Sequence, residues 1–206
     1  FTQAMRYDQQ TGDISVDPDG NAYVTNGFFM IGYFIADCMQ SKLDPSGTLM
    51  WNIQSPNLYE NWRNAMNCDY TQLVQVGVGS GCCGWGKGTI INTTTGAESG
   101  MFNPAATGDI VAASYGKNGY LYILSIKDDY AVNPPPNGPH LGCLDPATGF
   151  SVVFNNLYPV SAAFVDGFNT GYGTFGFNGI AAGCSYLYVC LGATLEKRDL
   201  STGALI

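Results

Sequence analysis

Charge is what this chain has least of. Asp, Glu, Lys and Arg make up 12% of its 206 residues, about half the share of an ordinary globular domain. Only eight are Lys or Arg against sixteen Asp and Glu, a formal net charge of -8, and the basic residues are scattered. Such a surface repels phosphate backbones and anionic headgroups, so neither nucleic acid nor a membrane surface is an expected partner. A membrane span is missing too. The longest apolar stretch, GFFMIGYFIADCM from Gly27, has 13 residues with a glycine inside it, against the ~20 that a bilayer requires. Histidine occurs once, at His140 in the proline-rich NPPPNGPHLG, and no C-x-x-C or G-x-S-x-G is present. A zinc site therefore lacks its ligands and a Ser-His-Asp arrangement its local motif. These absences favour a protein that is not an enzyme.

Glycine, at 27 residues, and tyrosine plus phenylalanine, at 13 and 11, are abundant within a 46% apolar composition. That mixture supplies a core and favours strands joined by tight turns. Seven cysteines, Cys38, Cys68, Cys82, Cys83, Cys143, Cys184 and Cys190, stand in a chain poor in Lys and Glu. This usage points to an oxidising, extracellular or cell-surface setting, and makes all seven candidates for disulfides. The odd number leaves one thiol unpaired or paired outside the chain. The chain begins at Phe1 and reads as a processed or excised segment.

Two patterns recur in a fixed order. The first is a strand, a turn and a tyrosine-bearing strand: ISVDPDGNAYVTN (14–26), IVAASYGKNGYLYIL (110–124), IAAGCSYLYVCL (180–191), and a weaker copy, AMNCDYTQLVQVGV (65–78). The second is a strand ending in Asp or Asn, a glycine turn and another strand: SKLDPSGTLMWNI (41–53), TIINTTTGAESGMF (89–102), GCLDPATGFSVVF (142–154) and EKRDLSTGALI (196–206). The Asp or Asn side chain accepts backbone N–H groups two residues on, and glycine takes the positive φ that closes a hairpin. The turn glycines Gly47, Gly96, Gly149 and Gly203 lie 49, 53 and 54 residues apart.

Two hairpins per period of about 50 residues make a four-stranded unit, the size of a propeller blade. The expected fold is an all-β propeller of about four blades, over residues 13–62, 63–108, 109–160 and 161–206, with 1–10 as the tail of a preceding blade. Leu205-Ile206 falls at the start of an outer strand, which would leave an unpaired edge. The segment is therefore expected to belong to a larger propeller, or to close with strands from elsewhere.

Asp-x-x-Thr-Gly before an apolar strand, at Asp145 to Gly149 and Asp199 to Gly203, resembles the repeat of quinoprotein-like propellers, and Trp51 stands four residues after Gly47 as in those blades. Tyr23-Val24-Thr25-Asn26 is similar to the signature of YVTN repeat propellers of prokaryotic surface proteins, and YLYVCLGATLEKRDLSTGALI to repeats of large secreted or cell-surface, adhesin-like bacterial proteins. The resemblance covers nearly the whole chain and implies a fold more than a function. Quinoprotein alcohol dehydrogenases carry a disulfide between adjacent cysteines against their quinone, which gives Cys82-Cys83 a possible parallel. Against it, Gly100 and Val153 stand where other blades carry the tryptophan, and no local motif matches the family's calcium and base residues.

The expected function is a binding or scaffold module that presents loops to a glycan or protein at the cell surface, alongside other chains or further blades. The alternative is a propeller enzyme, quinoprotein dehydrogenase-like or glycosidase-like. For binding, the candidates are the aromatics between the repeats, Trp85, Tyr130, Phe168, Tyr172 and Phe175, with Tyr59 and Trp62 beside them. GFNTGYGTFGFNG (167–179) is the leading loop. Tyr23, Tyr120, Tyr122, Tyr186 and Tyr188 are expected to pack between blades. Cys82-Cys83 reads as a staple in a glycine-rich loop, bonded within the pair or to partners such as Cys38 and Cys68. No cofactor is expected; the one calcium candidate is Asp17, Asp19 and Asn21, whose oxygens alternate as in a calcium loop, although Phe28 stands where the closing acid belongs. The carboxylates outside the turns, Asp128, Asp129, Asp166 and Glu60, are the only candidates for paired acid–base work.

Overall fold

The computed structural model describes residues 9–28, 38–55, 58–79, 86–103, 109–126, 139–157, 178–191 and 194–206. Its strands fall into four antiparallel sheets, each laid down in chain order. The first holds β1 (Gln9–Val16), β2 (Ala22–Phe28), β3 (Cys38–Leu43) and β4 (Leu49–Ser55). The second holds β5 (Leu58–Met66), β6 (Gln72–Gly79), β7 (Gly86–Asn92) and β8 (Glu98–Phe102). The third holds β9 (Asp109–Tyr115), β10 (Leu121–Ile126), β11 (Pro139–Asp145) and β12 (Ser151–Leu157). The fourth holds β13 (Asn178–Ala182), β14 (Tyr186–Leu191) and β15 (Thr194–Asp199), and Leu205 pairs with Arg198 at its outer edge. Residues 58–62, which the repeat assigns to the end of the first blade, open β5 of the second sheet.

Turn chemistry accounts for the hairpins. Asp44 Oδ1 accepts Ser46 N and Thr48 N at 2.8 Å each, Asn92 Oδ1 accepts Thr94 N and Thr95 N, and Asp199 Oδ1 accepts Ser201 N and Thr202 N. Gly47, Gly96, Gly149 and Gly203 then take φ of 82, 74, 75 and 70°. In the third sheet the same signal produces a short 3-10 turn, Pro146–Thr148, between β11 and β12.

Period-two alternation sends successive side chains to opposite faces of each strand, and the sheets stack through the apolar ones. One arrangement recurs at each junction. Tyr23 of the first sheet clusters with Leu73 and Met66 of the second. Val74, at the same repeat position in the second sheet, clusters with Leu121 and Tyr115 of the third. Tyr122 of the third clusters with Leu187 and Ala182 of the fourth. In each case a residue of the second strand meets the last pair before the first hairpin turn of the next sheet, where Met66 pairs with Leu73, Tyr115 with Leu121 and Ala182 with Leu187.

Two of the five tyrosines depart from the expected packing. Tyr186 and Tyr188 are exposed, because they lie on the face of the fourth sheet opposite the one that covers Tyr122.

Candidate functional site

Following the chain direction through each sheet separates two rims. The turns within hairpins, at 17–21, 44–48, 67–71, 93–97, 116–120, 146–150, 183–185 and 200–204, lie at one end of the strands. The strand ends that flank the other connections, residues 29–37, 56–57, 80–85, 103–108, 127–138, 158–177 and 192–193, lie at the opposite end. The first rim is built from tight polar turns. Trp85, Tyr130, Phe168, Tyr172 and Phe175 lie outside the described residues, as do Asp128, Asp129 and Asp166. Tyr59, Glu60 and Trp62 are in β5, but their side chains lie outside the described set.

At mid-strand, and in the third sheet toward this second rim, the sheets bury polar side chains where the alternation calls for apolar ones. Between the first two sheets, Gln75 Nε2 donates to Gln40 Oε1 at 3.3 Å and Thr89 Oγ1 to Gln75 Oε1 at 3.4 Å; all three are fully buried. Asn64 ties the same junction together: its backbone N–H reaches Asp13 Oδ2 at 3.1 Å, its Nδ2 reaches Tyr23 O at 3.2 Å, and Ser15 Oγ donates to its Oδ1. On the third sheet, Ser125 and His140 are directly paired across β10 and β11, and Asn155 stands on the same face two residues from the partner of His140. Ser125 Oγ, His140 Nδ1, Asn155 Oδ1 and Gln40 Nε2 are buried without a hydrogen-bond partner. An orphaned buried polar atom costs about 1–3 kcal/mol. Sequence reasoning passed over this layer; its signal was Gln and Thr at inward positions of otherwise apolar strands.

The turn rim holds the calcium candidates. Asp17 Oδ1 accepts Asp19 N at 3.0 Å and Asn21 N at 2.9 Å, while Oδ2 accepts Asn21 Nδ2 at 2.8 Å and Tyr23 Oη at 3.0 Å. Burial works to raise the Asp17 pKa, but these donors outweigh it and bring the carboxyl below its ordinary value. Both oxygens of Asp17 thus serve the hairpin. Among the described residues no group of three His, Cys, Asp or Glu side chains could hold a metal ion.

The expectation of disulfides does not hold for Cys68, Cys143 and Cys184, whose thiols are free. Cys68 Sγ donates to Gly116 O at 3.3 Å, a contact across the second and third sheets. Cys143 is buried in the core shared by the third and fourth sheets, where desolvation pushes its thiol pKa up to about 11. Cys190 is half-buried on β14. Cys82, Cys83 and the side chain of Cys38 lie outside the described residues.

Four stacked antiparallel sheets, with almost no helix, define a β-propeller arrangement of four blades. No family model matches the chain, and no curated protein matches it in sequence. Solved structures do match in fold. Hydrazine synthase of Kuenenia stuttgartiensis is 14% identical with a TM-score of 0.64, the match covering 92% of this chain and 53% of that one. A protein of unknown function from Bacteroides caccae is 10% identical with a TM-score of 0.59, over 98% of this chain and 61% of that one. A luciferin-regenerating enzyme is 13% identical with a TM-score of 0.58, over 96% and 59%. The chain spans between about half and three fifths of these structures. Identities this low carry the fold and leave the activity to the site.

Proposed function

We propose that this propeller is a non-catalytic binding scaffold of a secreted or cell-surface protein, which presents its loop rim to a glycan or a protein partner. The reading rests on the separation of the rims: the strand ends that flank seven connections, including all the long ones, lie at one end of the sheets. Loops anchored on a rigid scaffold are where binding residues concentrate. Trp85, Tyr130, Phe168, Tyr172 and Phe175 belong to these connections. Aromatic rings there offer flat apolar faces with a polar edge, suited to stacking on a sugar ring or anchoring a protein.

The alternative is a propeller enzyme of quinoprotein or glycosidase type. Ser125 and His140 speak for it, since their orphaned atoms lie near the same rim. A glycan array and a pull-down with immobilised surface proteins test the binding reading on wild type, Trp85→Ala, Tyr172→Ala and a turn-rim control, Thr48→Ala. Retention lost in the two aromatic variants and kept in the control supports it. Equal retention in all four, or glycoside turnover that disappears in His140→Ala, overturns it.

A further inference from the structure

Ser125, His140 and Asn155 gather on one face of the third sheet, each with a buried polar atom that has no hydrogen-bond partner. Ser125 and His140 are paired directly across β10 and β11, and Asn155 of β12 is paired with Gly142, two residues along β11 from His140. Alternation turns all three toward the second sheet, on the face that carries Leu121, Ile123 and Leu144. Ser125 is 0% exposed, so its Oγ is cut off from bulk solvent. Asn155 leans over β11: a Cβ on Gly142 would stand 3.8 Å from Asn155 Oδ1. Strand spacing sets Ser125 and His140 about 5 Å apart at the backbone, and two residues of rise set Gly142, under Asn155 Oδ1, about 7 Å from His140. A pyranose ring, with hydroxyls around its edge, suits a triangle of that size.

The three groups also select a kind of ligand. Asn155 Oδ1 only accepts, Ser125 Oγ donates and accepts, and His140 Nδ1 does one or the other according to its tautomer. Sugar hydroxyls both donate and accept, so one ring satisfies all three, whereas a carboxylate leaves Asn155 Oδ1 without a donor. Among the described residues of this face of the third sheet no side chain is charged, so nothing there favours an ionic ligand. We propose that Ser125, His140 and Asn155 form a hydroxyl-binding subsite for a neutral glycan, which enters between the second and third sheets from the loop rim. Ser125 and His140 stand one residue inside the ends of β10 and β11 at that rim. The subsite rests on the glycan arm of the binding reading and deepens it, because the three residues become ligand contacts and not catalytic groups.

His140 is the only histidine of the 206-residue chain, so the NMR shifts of its ring nitrogens report on the subsite without competing signals. Methyl α-mannopyranoside, methyl β-galactopyranoside and methyl N-acetyl-β-glucosaminide are titrated to 50 mM, each beside its fully O-methylated form. A saturable His140 shift is expected with at least one glycoside and none with its O-methylated form, which has no hydroxyl to donate. Ser125→Ala and Asn155→Ala should each weaken that glycoside about tenfold. Both remove an atom that has no partner, and circular dichroism checks that the fold is kept; the wild-type titration stands on its own if either variant unfolds. A glycan retained on the array with no His140 shift from any glycoside overturns the subsite and leaves the binding reading in place. No retained glycan and no shift overturns the subsite together with the glycan arm. Unchanged affinity in both folded variants, or an equal shift with the O-methylated form, also overturns it.

Discussion

The hydroxyl of Tyr122, on the second strand of the third sheet, donates to the backbone carbonyl of Leu200, in the last turn of the fourth, at 2.8 Å. Asn118 Nδ2 donates to the Tyr122 hydroxyl oxygen at 2.8 Å, and the Tyr122 ring is fully buried in the core shared by the two sheets. One side chain thus joins two blades by packing and by a hydrogen bond. Removing the hydroxyl leaves the Leu200 carbonyl and the Asn118 amide without it. Tyr122→Phe is expected to lose about 1–3 kcal/mol, and Tyr122→Ala about 3–5 kcal/mol as the cavity adds its cost. Urea unfolding of the three proteins measures both; equal midpoints for wild type and Tyr122→Phe would sink the account.

Two turn glycines with nearly the same backbone separate conformational strain from packing. Gly47 has φ of 82° and open space where a Cβ would stand, whereas Gly96, at 74°, would place a Cβ 2.9 Å from Trp51 Cδ2. Gly47→Ala therefore pays about 1 kcal/mol for the left-handed conformation alone. Gly96→Ala adds about 1–3 kcal/mol of overpacking against the indole, which is pinned by its own hydrogen bond from Nε1 to Thr93 O at 3.2 Å. Thermal midpoints should fall further for Gly96→Ala, and equal losses would show that the ring gives way freely.

Acid should weaken the hairpins in a defined window. Hydrogen bonds from Ser201 and Thr202 hold the Asp199 pKa at about 2, against 3.8 for the free side chain, and Ser46 and Thr71 lower those of Asp44 and Asp69 in the same way. Between the folded and unfolded values the unfolded chain takes up protons that the folded chain refuses. The contribution is thus fully present above pH ~4 and is lost as pH falls toward ~2. Denaturant midpoints across that range should decline, and Asp199→Asn should flatten part of the decline while lowering stability at pH 7. An unchanged slope in this variant would remove Asp199 from the explanation.

The described thiols should divide by exposure. Cys68 and Cys184 are exposed, and Cys143 is buried with its pKa raised by desolvation. Because the thiolate is the species that reacts, iodoacetamide at pH 7.5 is expected to label Cys68 and Cys184 in the folded protein and Cys143 only after unfolding. Peptide mapping reads the pattern, and Cys143 labelled as fast as Cys184 would contradict it.

The hairpins could be read directly because what makes them is local. An Asp or Asn side chain reaches amides two to four residues on, glycine closes the turn, and alternation orients the strands, so residues 14–26, 41–53 and 110–124 announce their pairing without reference to the rest of the chain. Sheet order follows from the repeat for the same reason. The candidate site was only half readable. That the long aromatic segments lie between hairpins is a matter of position along the chain, while the gathering of the strand ends that flank them at one rim follows from strand direction once the sheets are formed.

Burial was decided elsewhere. Tyr122 and Tyr188 have the same repeat position and nearly the same neighbours in sequence, yet one is sealed and the other is open, because a side chain's exposure depends on the sheet laid over it. The Gln40–Gln75–Thr89 layer and the free thiol of Cys68 have the same origin: each is set by a residue 14 to 48 positions away. Turn chemistry acts over a few bonds and is written in the local sequence. Packing between sheets acts across the fold, and only the tertiary structure determines which faces meet.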